Sequence, residues 1–168
     1  MTTDKQKGFT LIELLVAVTL FLVVITIASS TFIESLKSQR AAVELMAVND
    51  NVSGTLEFMA REIRTGTLFS ISSDSSLAFT NAVGKKVEYN FNHENGSIEK
   101  SIDGDAPEAL TATNVLVKRF KIIGNGLRSD DGKQPSITIS IEIGGKSKNL
   151  QDITTKLQTT VSPRIIEG

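Results

Sequence analysis

Side chains able to do chemistry are few in this chain of 168 residues. It has one histidine, His93, and neither cysteine nor tryptophan. Thiolate chemistry and disulfides are therefore excluded, and a zinc site built on two or three histidines is impossible. A nucleophile–base pair would have to use His93, which stands in the turn pattern His93-Glu94-Asn95-Gly96 with no triad partner in a recognisable motif. We read it as a solvated turn histidine and expect no catalytic residues and no enzyme. Carboxylates cluster twice, in Asp103-Gly104-Asp105 and Ser129-Asp130-Asp131-Gly132. Calcium uses such groups, but neither segment has the ligand spacing of an EF-hand loop, and Asp-Gly is common in turns. Both are expected to be turns, with no metal and no cofactor. Gly124-Asn125-Gly126 precedes no helix start, so it is not a phosphate-cradling loop. With 18 Lys+Arg against 19 Asp+Glu and a formal net charge of −1, no nucleic-acid partner is indicated.

The remaining chemical anomaly is Glu13, bracketed by Phe9-Thr10-Leu11-Ile12 and Leu14-Leu15-Val16. A carboxylate deep in a bilayer costs about 2.5–3.5 kcal/mol. Either Glu13 lies at the headgroup boundary, where the cost is small, or it pairs with a cation.

The element that positions Glu13 is an uncharged run from Leu14 to Ile33, without Gly or Pro, whose only polar members are Thr19, Thr26, Ser29, Ser30 and Thr31. A helix of this length spans about 30 Å, the hydrocarbon thickness of a bilayer. A core helix apolar all round is a poor alternative in so small a protein. A cleaved secretory signal has an apolar region of about 7–15 residues, and this run is longer. Lys5 and Lys7 precede it and Lys37 and Arg40 follow, a small bias toward a cytoplasmic N-terminus.

Residues Lys7-Gly8-Phe9-Thr10-Leu11-Ile12-Glu13-Leu14-Leu15-Val16-Ala17 resemble the processing signature of the type IV prepilin and pseudopilin family. The elements are a short charged leader ending in Gly, then Phe, then Thr-Leu-Ile-Glu and a long apolar helix. The resemblance implies cleavage by prepilin peptidase between Gly8 and Phe9, followed by N-methylation of Phe9. It also implies that the freed amine of Phe9 meets Glu13 of a neighbouring subunit, making Glu13 a register residue in assembly. The implied partners are prepilin peptidase, other pilin or pseudopilin subunits, an inner-membrane assembly platform and membrane lipid. Glycine at position 8 also has a physical rationale, since it lets an enzyme approach the backbone closely. Major pilins usually carry a proline near Ser29-Ser30 and a two-cysteine loop near the C-terminus. This chain has neither, which points to a minor subunit. Phe58-Met59-Ala60-Arg61-Glu62-Ile63-Arg64, Val87-Glu88-Tyr89 and Thr159-Thr160-Val161-Ser162-Pro163-Arg164 are similar to the PilW and J-type pseudopilin group, whose members are implied to sit near a filament tip.

Beyond Ile33, Leu45, Val48, Val52, Leu56, Met59 and Ile63 recur at spacings of three and four, the stripe of a one-faced helix, with Glu57, Arg61, Glu62 and Arg64 on its other faces. Gly66 is its expected stop, giving one helix from Phe9 to Thr65. Asn49-Asp50-Asn51 and Gly54 weaken its middle and allow a bend. From Leu68 onward the period becomes two. Leu77-Ala78-Phe79, Val87–Phe91, Ile98–Ile102, Val115–Ile123, Ile137–Ile143 and Leu157–Val161 are expected strands, with turns at Asn95-Gly96, Gly124-Asn125-Gly126 and Gly144-Gly145.

The expected fold is α+β and pilin-like: a long N-terminal helix packed on an antiparallel meander. We expect a leader at 1–8, a transmembrane and assembly helix at 9–33, an amphipathic helix at 34–66 and a sheet domain at 67–168. The expected location is the cytoplasmic membrane, crossed once, with the sheet domain outside and passing into a surface or periplasmic filament on assembly. Type IV pili, type II secretion and competence filaments all fit. The alternative is an anchored extracytoplasmic binding domain that never polymerises. A membrane-tethered hydrolase lacks a nucleophile–base pair.

Overall fold

The computed structural model describes residues 8–127, 133–147, 150 and 152–163. Lys5 and Lys7, the expected turn at Asp130-Asp131 and Arg164 lie outside the described residues. The chain forms two compact units, Met1–Ala42 and Val43–Gly168. The helix α1 (Leu11–Thr65) is continuous in its hydrogen bonding through Asn49-Asp50-Asn51 and Gly54. It begins two residues later than the expected Phe9, for a reason seen at Thr10 below.

In the first unit every described side chain of the apolar run is exposed, and α1 is long and apolar enough to cross a membrane. Four of the five hydroxyls within this run turn back on their own helix. Thr19 and Thr26 donate to the carbonyls of Leu15 and Leu22 at 2.8 Å, and Ser30 and Thr31 to that of Ile27 at 2.8 and 3.0 Å. A hydroxyl bonded in this way does not face hydrocarbon unsatisfied.

In the second unit, α1 buries Val48, Val52, Leu56, Met59 and Ile63, the stripe read from the sequence; Leu45 at its start is only half-buried. Thr55 joins the buried face, donating to the carbonyls of Asn51 and Leu110 at 3.0 and 3.3 Å, and Asn51 Oδ1 accepts the amide of Ala112 at 3.0 Å. The asparagine expected to weaken the helix thus ties it to the Leu110–Ala112 segment. After α1, Gly66 has no room for a side chain: a Cβ would stand 2.5 Å from the Phe79 ring.

Eight strands follow: β1 (Thr67–Ser73), β2 (Ser76–Thr80), β3 (Lys86–Asn92), β4 (Ser97–Ile102), β5 (Glu108–Ala109), β6 (Val115–Asn125), β7 (Ser136–Gly145) and β8 (Thr155–Val161). They form two antiparallel sheets, β1-β2-β3-β4-β5 and β6-β7-β8, where period-two reading alone gave a single meander. The division is made by β6. Its Val117 amide donates to the Gly96 carbonyl in the β3–β4 turn at 2.8 Å, and its Ile122 amide to the Asp74 carbonyl in the β1–β2 turn at 2.7 Å. These bonds fasten the second sheet to two turns of the first, so β6 does not extend the first sheet edge to edge. Alternation cannot register this, because it reports which side chains face inward and not which strand lies beside which.

Two further differences are local. Gly124 and Asn125 continue β6, and the chain turns at Gly126, whose φ of 61° suits glycine. Gly144 and Gly145 close β7 from within, pressed against Ile153 O and Leu150. One hydrophobic core joins α1 and both sheets, with Phe79, Tyr89, Ile139 and Ile141 among its fully buried members.

Candidate functional site

At the start of α1, Thr10 and Glu13 close a reciprocal cap. The Thr10 amide and its Oγ1 both donate to Glu13 Oε2 at 2.9 Å, and the Glu13 amide donates back to Thr10 Oγ1 at 3.3 Å. Threonine followed three residues later by glutamate is the capping-box arrangement, which satisfies orphan amides at a helix start. It explains why the helix begins at Leu11. Gly8 and Phe9 lie outside it, and Phe9 is 90% exposed. A Cβ built on Gly8 would meet nothing within 4 Å, so the fold of this chain does not itself require glycine there.

Phe9, Ile12, Glu13, Val16, Ala17 and Leu20 line one shallow apolar depression on this end of the chain. Of the three residues marked in the sequence, Phe9 and Glu13 share this depression, whereas Gly8 is not among its lining. The sequence reading gave Thr10 no role, although its three-residue spacing from Glu13 carries the capping signal.

His93 is exposed, its ring tilted against Phe91 with centroids 4.3 Å apart. Asp103 is a turn residue with φ of 53°. Its carboxylate accepts the Lys86 amide at 2.9 Å and lies 3.8 Å from Lys85. Among the described residues no group of three or more His, Cys, Asp or Glu side chains is placed to hold a metal ion.

The second polar cluster lies between α1 and the first sheet. Lys100 on β4 reaches both carboxylate oxygens of Glu62 on α1, at 2.7 and 2.8 Å. Tyr89 on β3, paired in register with Lys100, donates its hydroxyl to Glu62 Oε2. Lys100 Nζ also stands 4.7 Å from the centre of the Phe58 ring. Burial first, then the hydrogen bond and the negative charge of Glu62, push the Tyr89 phenol far above its ordinary range. The sequence reading set Glu62 on a face other than the apolar stripe; from there its carboxylate reaches the sheet, where it neutralises Lys100. The sequence held one signal of this. In Ile98-Glu99-Lys100-Ser101-Ile102 the lysine occupies the alternating inward position, and a lysine there needs a partner.

Residues 3–29 match the family model of the prokaryotic N-terminal methylation motif. No curated protein and no solved structure matches the chain.

Proposed function

We propose that this chain, which carries the N-terminal motif of the type IV prepilin and pseudopilin family, is a structural minor subunit of a type IV filament machine. The observation that carries this reading is the coincidence of the motif with Gly8-Phe9 outside a helix, Glu13 just inside it, and the apolar span directly after. Prepilin peptidase cuts between Gly8 and Phe9 and methylates Phe9. The freed α-amino group, with an ordinary pKa of about 7.7–8.0, is largely cationic at neutral pH. Glu13 of an adjoining subunit receives it, which sets register during assembly. An unpaired carboxylate in lipid carries a penalty that this pairing removes. The helix anchors the precursor in the cytoplasmic membrane, with the sheet domain outside, until the assembly platform draws it into a filament.

The minor role is supported by the absence of proline from the apolar run and of cysteine from the chain. Likeness to the PilW and J-type group is in keeping with a place near the filament tip.

The test is the mass of the protein from cells with and without prepilin peptidase. The reading expects loss of Met1–Gly8 and a gain of about 14 Da on Phe9 only when the peptidase is present. A mature protein that keeps its leader in working cells would favour a non-polymerising membrane-anchored domain.

A further inference from the structure

Within the second unit α1 has apolar residues on two opposite sides. One is the buried stripe from Val48 to Ile63. On the other, Val43, Ala47, Asp50, Gly54 and Phe58 recur at spacings of three and four, and all five are exposed. Val43 is 66% exposed and Phe58 41%. The solvent side of a helix is ordinarily polar, and an uncovered apolar strip marks a contact surface. Ala47 is small, and at Gly54 nothing lies within 4 Å of where a Cβ would stand, so another chain can come close to the helix backbone. Around Phe58 the strip opens into two adjoining depressions that share Phe58 and Leu110.

The charge along this strip is one-sided. Asp50 lines one depression, and Asp105 and Glu108 line the other, all three exposed. No ion pair engages their carboxylates among the described residues. Two cations beside them are already engaged: Lys100 holds Glu62, and Arg61 lies 3.4 Å from Glu57.

We propose that this strip receives the helix of one neighbouring, non-identical subunit. The apolar stripe of that helix covers Val43, Gly54 and Phe58, and its Lys or Arg side chains reach Asp50, Asp105 and Glu108. From Val43 to Phe58 the strip runs along the helix for about 22 Å, which suits a second helix laid alongside better than a turn. Small residues at the crossing let the two axes approach. A second copy of this chain does not fit, because its own strip would bring Asp50 against these same carboxylates, and like charges meeting at a contact reject the partner. The acids thus choose a basic neighbour, while the apolar contact contributes the burial. The inference rests on the filament reading and states what kind of neighbour this minor subunit stands beside.

The test uses the full-length chain in its own cells, with prepilin peptidase and the other subunits present. The photo-cross-linker p-benzoylphenylalanine replaces Ala106, an exposed residue that lines the Phe58 depression and has no part in the charge match. A control places it at Gln158, exposed on β8. Light should join the Ala106 probe to one other subunit, at a helix position within a turn of a Lys or Arg, mapped by peptide mass. The Gln158 probe should not give this product. Asp50→Lys with Glu108→Lys should lower the yield by more than about tenfold, since like charges at a contact cost several kcal/mol. Changing the mapped cation of the partner to Glu should restore it. Gly54→Leu should lower the yield as far without reducing the amount of chain in the membrane, because a Cβ there meets nothing in this chain. A product with a second copy, a product with a segment lacking a cation, or a yield unmoved by charge reversal and by Gly54→Leu would each overturn the proposal. Leader removal is read on the same gel. Intact leaders sink the filament reading whatever the probe captures, and processed chains without the charge-dependent product sink the docking contact alone.

Discussion

Lys100 holds both oxygens of the Glu62 carboxylate, at 2.7 and 2.8 Å, across the boundary between β4 and α1. The two side chains retain only 12% and 22% of their exposure. Removing one of a buried pair strands the other charge, at about 3–5 kcal/mol when burial is complete. Here some water remains at both ends, so Lys100→Met should cost ~2–3 kcal/mol. Lys100→Met combined with Glu62→Gln should recover a large part of that loss. Denaturant unfolding of the detergent-solubilised chain measures both, and equal stability of the single and double variants would refute the coupling.

Tyr89 is the only tyrosine, and there is no tryptophan, so alkaline absorbance reports this phenol alone. Its folded pKa is raised above the ordinary value of 10.0, by burial first and then by Glu62. A raised pKa gives stability that is complete below the unfolded value and declines once pH passes it. Ionisation in the native state should therefore be absent at pH 10–11, and unfolding should become steadily easier above about pH 10. In Tyr89→Phe the alkaline decline should be shallower, although the variant starts lower through its lost hydrogen bond. A phenol that titrates normally in the folded chain would contradict the geometry.

At the start of α1, Thr10→Val removes the hydroxyl that both gives to and receives from Glu13. Loss of such a cap costs about 0.5–2 kcal/mol. Amide exchange at the first turn of α1 should quicken accordingly, while Thr10→Ser should leave it nearly unchanged. Exchange equal in all three proteins would mean that the cap does not hold the helix start.

Glu13→Ala probes a different property of the same turn. If the carboxylate sets register between subunits, the variant should insert in the membrane and lose its leader normally, yet enter filaments poorly. Fractionation followed by filament shearing separates these steps, and normal incorporation would remove Glu13 from the assembly argument.

Gly96 and Gly84 make a matched pair. Both have positive φ, 60° and 81°. A Cβ at Gly84 meets open space, whereas at Gly96 it would stand 2.6 Å from Leu116 Cδ1 and 3.2 Å from the Val117 carbonyl. Gly84→Ala should carry only the left-handed backbone cost of about 1–2 kcal/mol. Gly96→Ala should cost clearly more and loosen the bond from Val117 that joins the sheets. Thermal melts of the two variants decide this, and equal losses would count against the crowding.

Much of this architecture was legible because it follows periodicity. The α1 stripe from Val48 to Ile63 and the strands carrying Val87, Tyr89 and Phe91 or Ile137 to Ile143 are set by which residues must leave water, and spacing reports that directly. The partition into two sheets was hidden because it depends on backbone bonds from Val117 and Ile122 to distant turns, which carry no side-chain signature. The two-residue strand β5 was missed for the same reason: Glu108 and Ala109 are both exposed and show no alternation. At the N-terminus, Gly8, Phe9 and Glu13 stood out as a motif, while Thr10 became visible only as a hydrogen-bonding partner. Glu62 was placed off the apolar stripe but given no partner, because a charge beside such a stripe normally points to water. Only the inward Lys100, brought near by β4, reverses that preference.

The inward-folded hydroxyls of Thr19, Thr26, Ser30 and Thr31 leave this stretch of shaft with almost nothing to offer sideways but carbon and hydrogen. A rod lying alongside would feel contour without directional grip, and could glide lengthwise by a turn without breaking a polar bond. Such lubrication would suit the proposed filament subunit, which is drawn from lipid and then stretched, and it leaves axial alignment to whatever grips the ends.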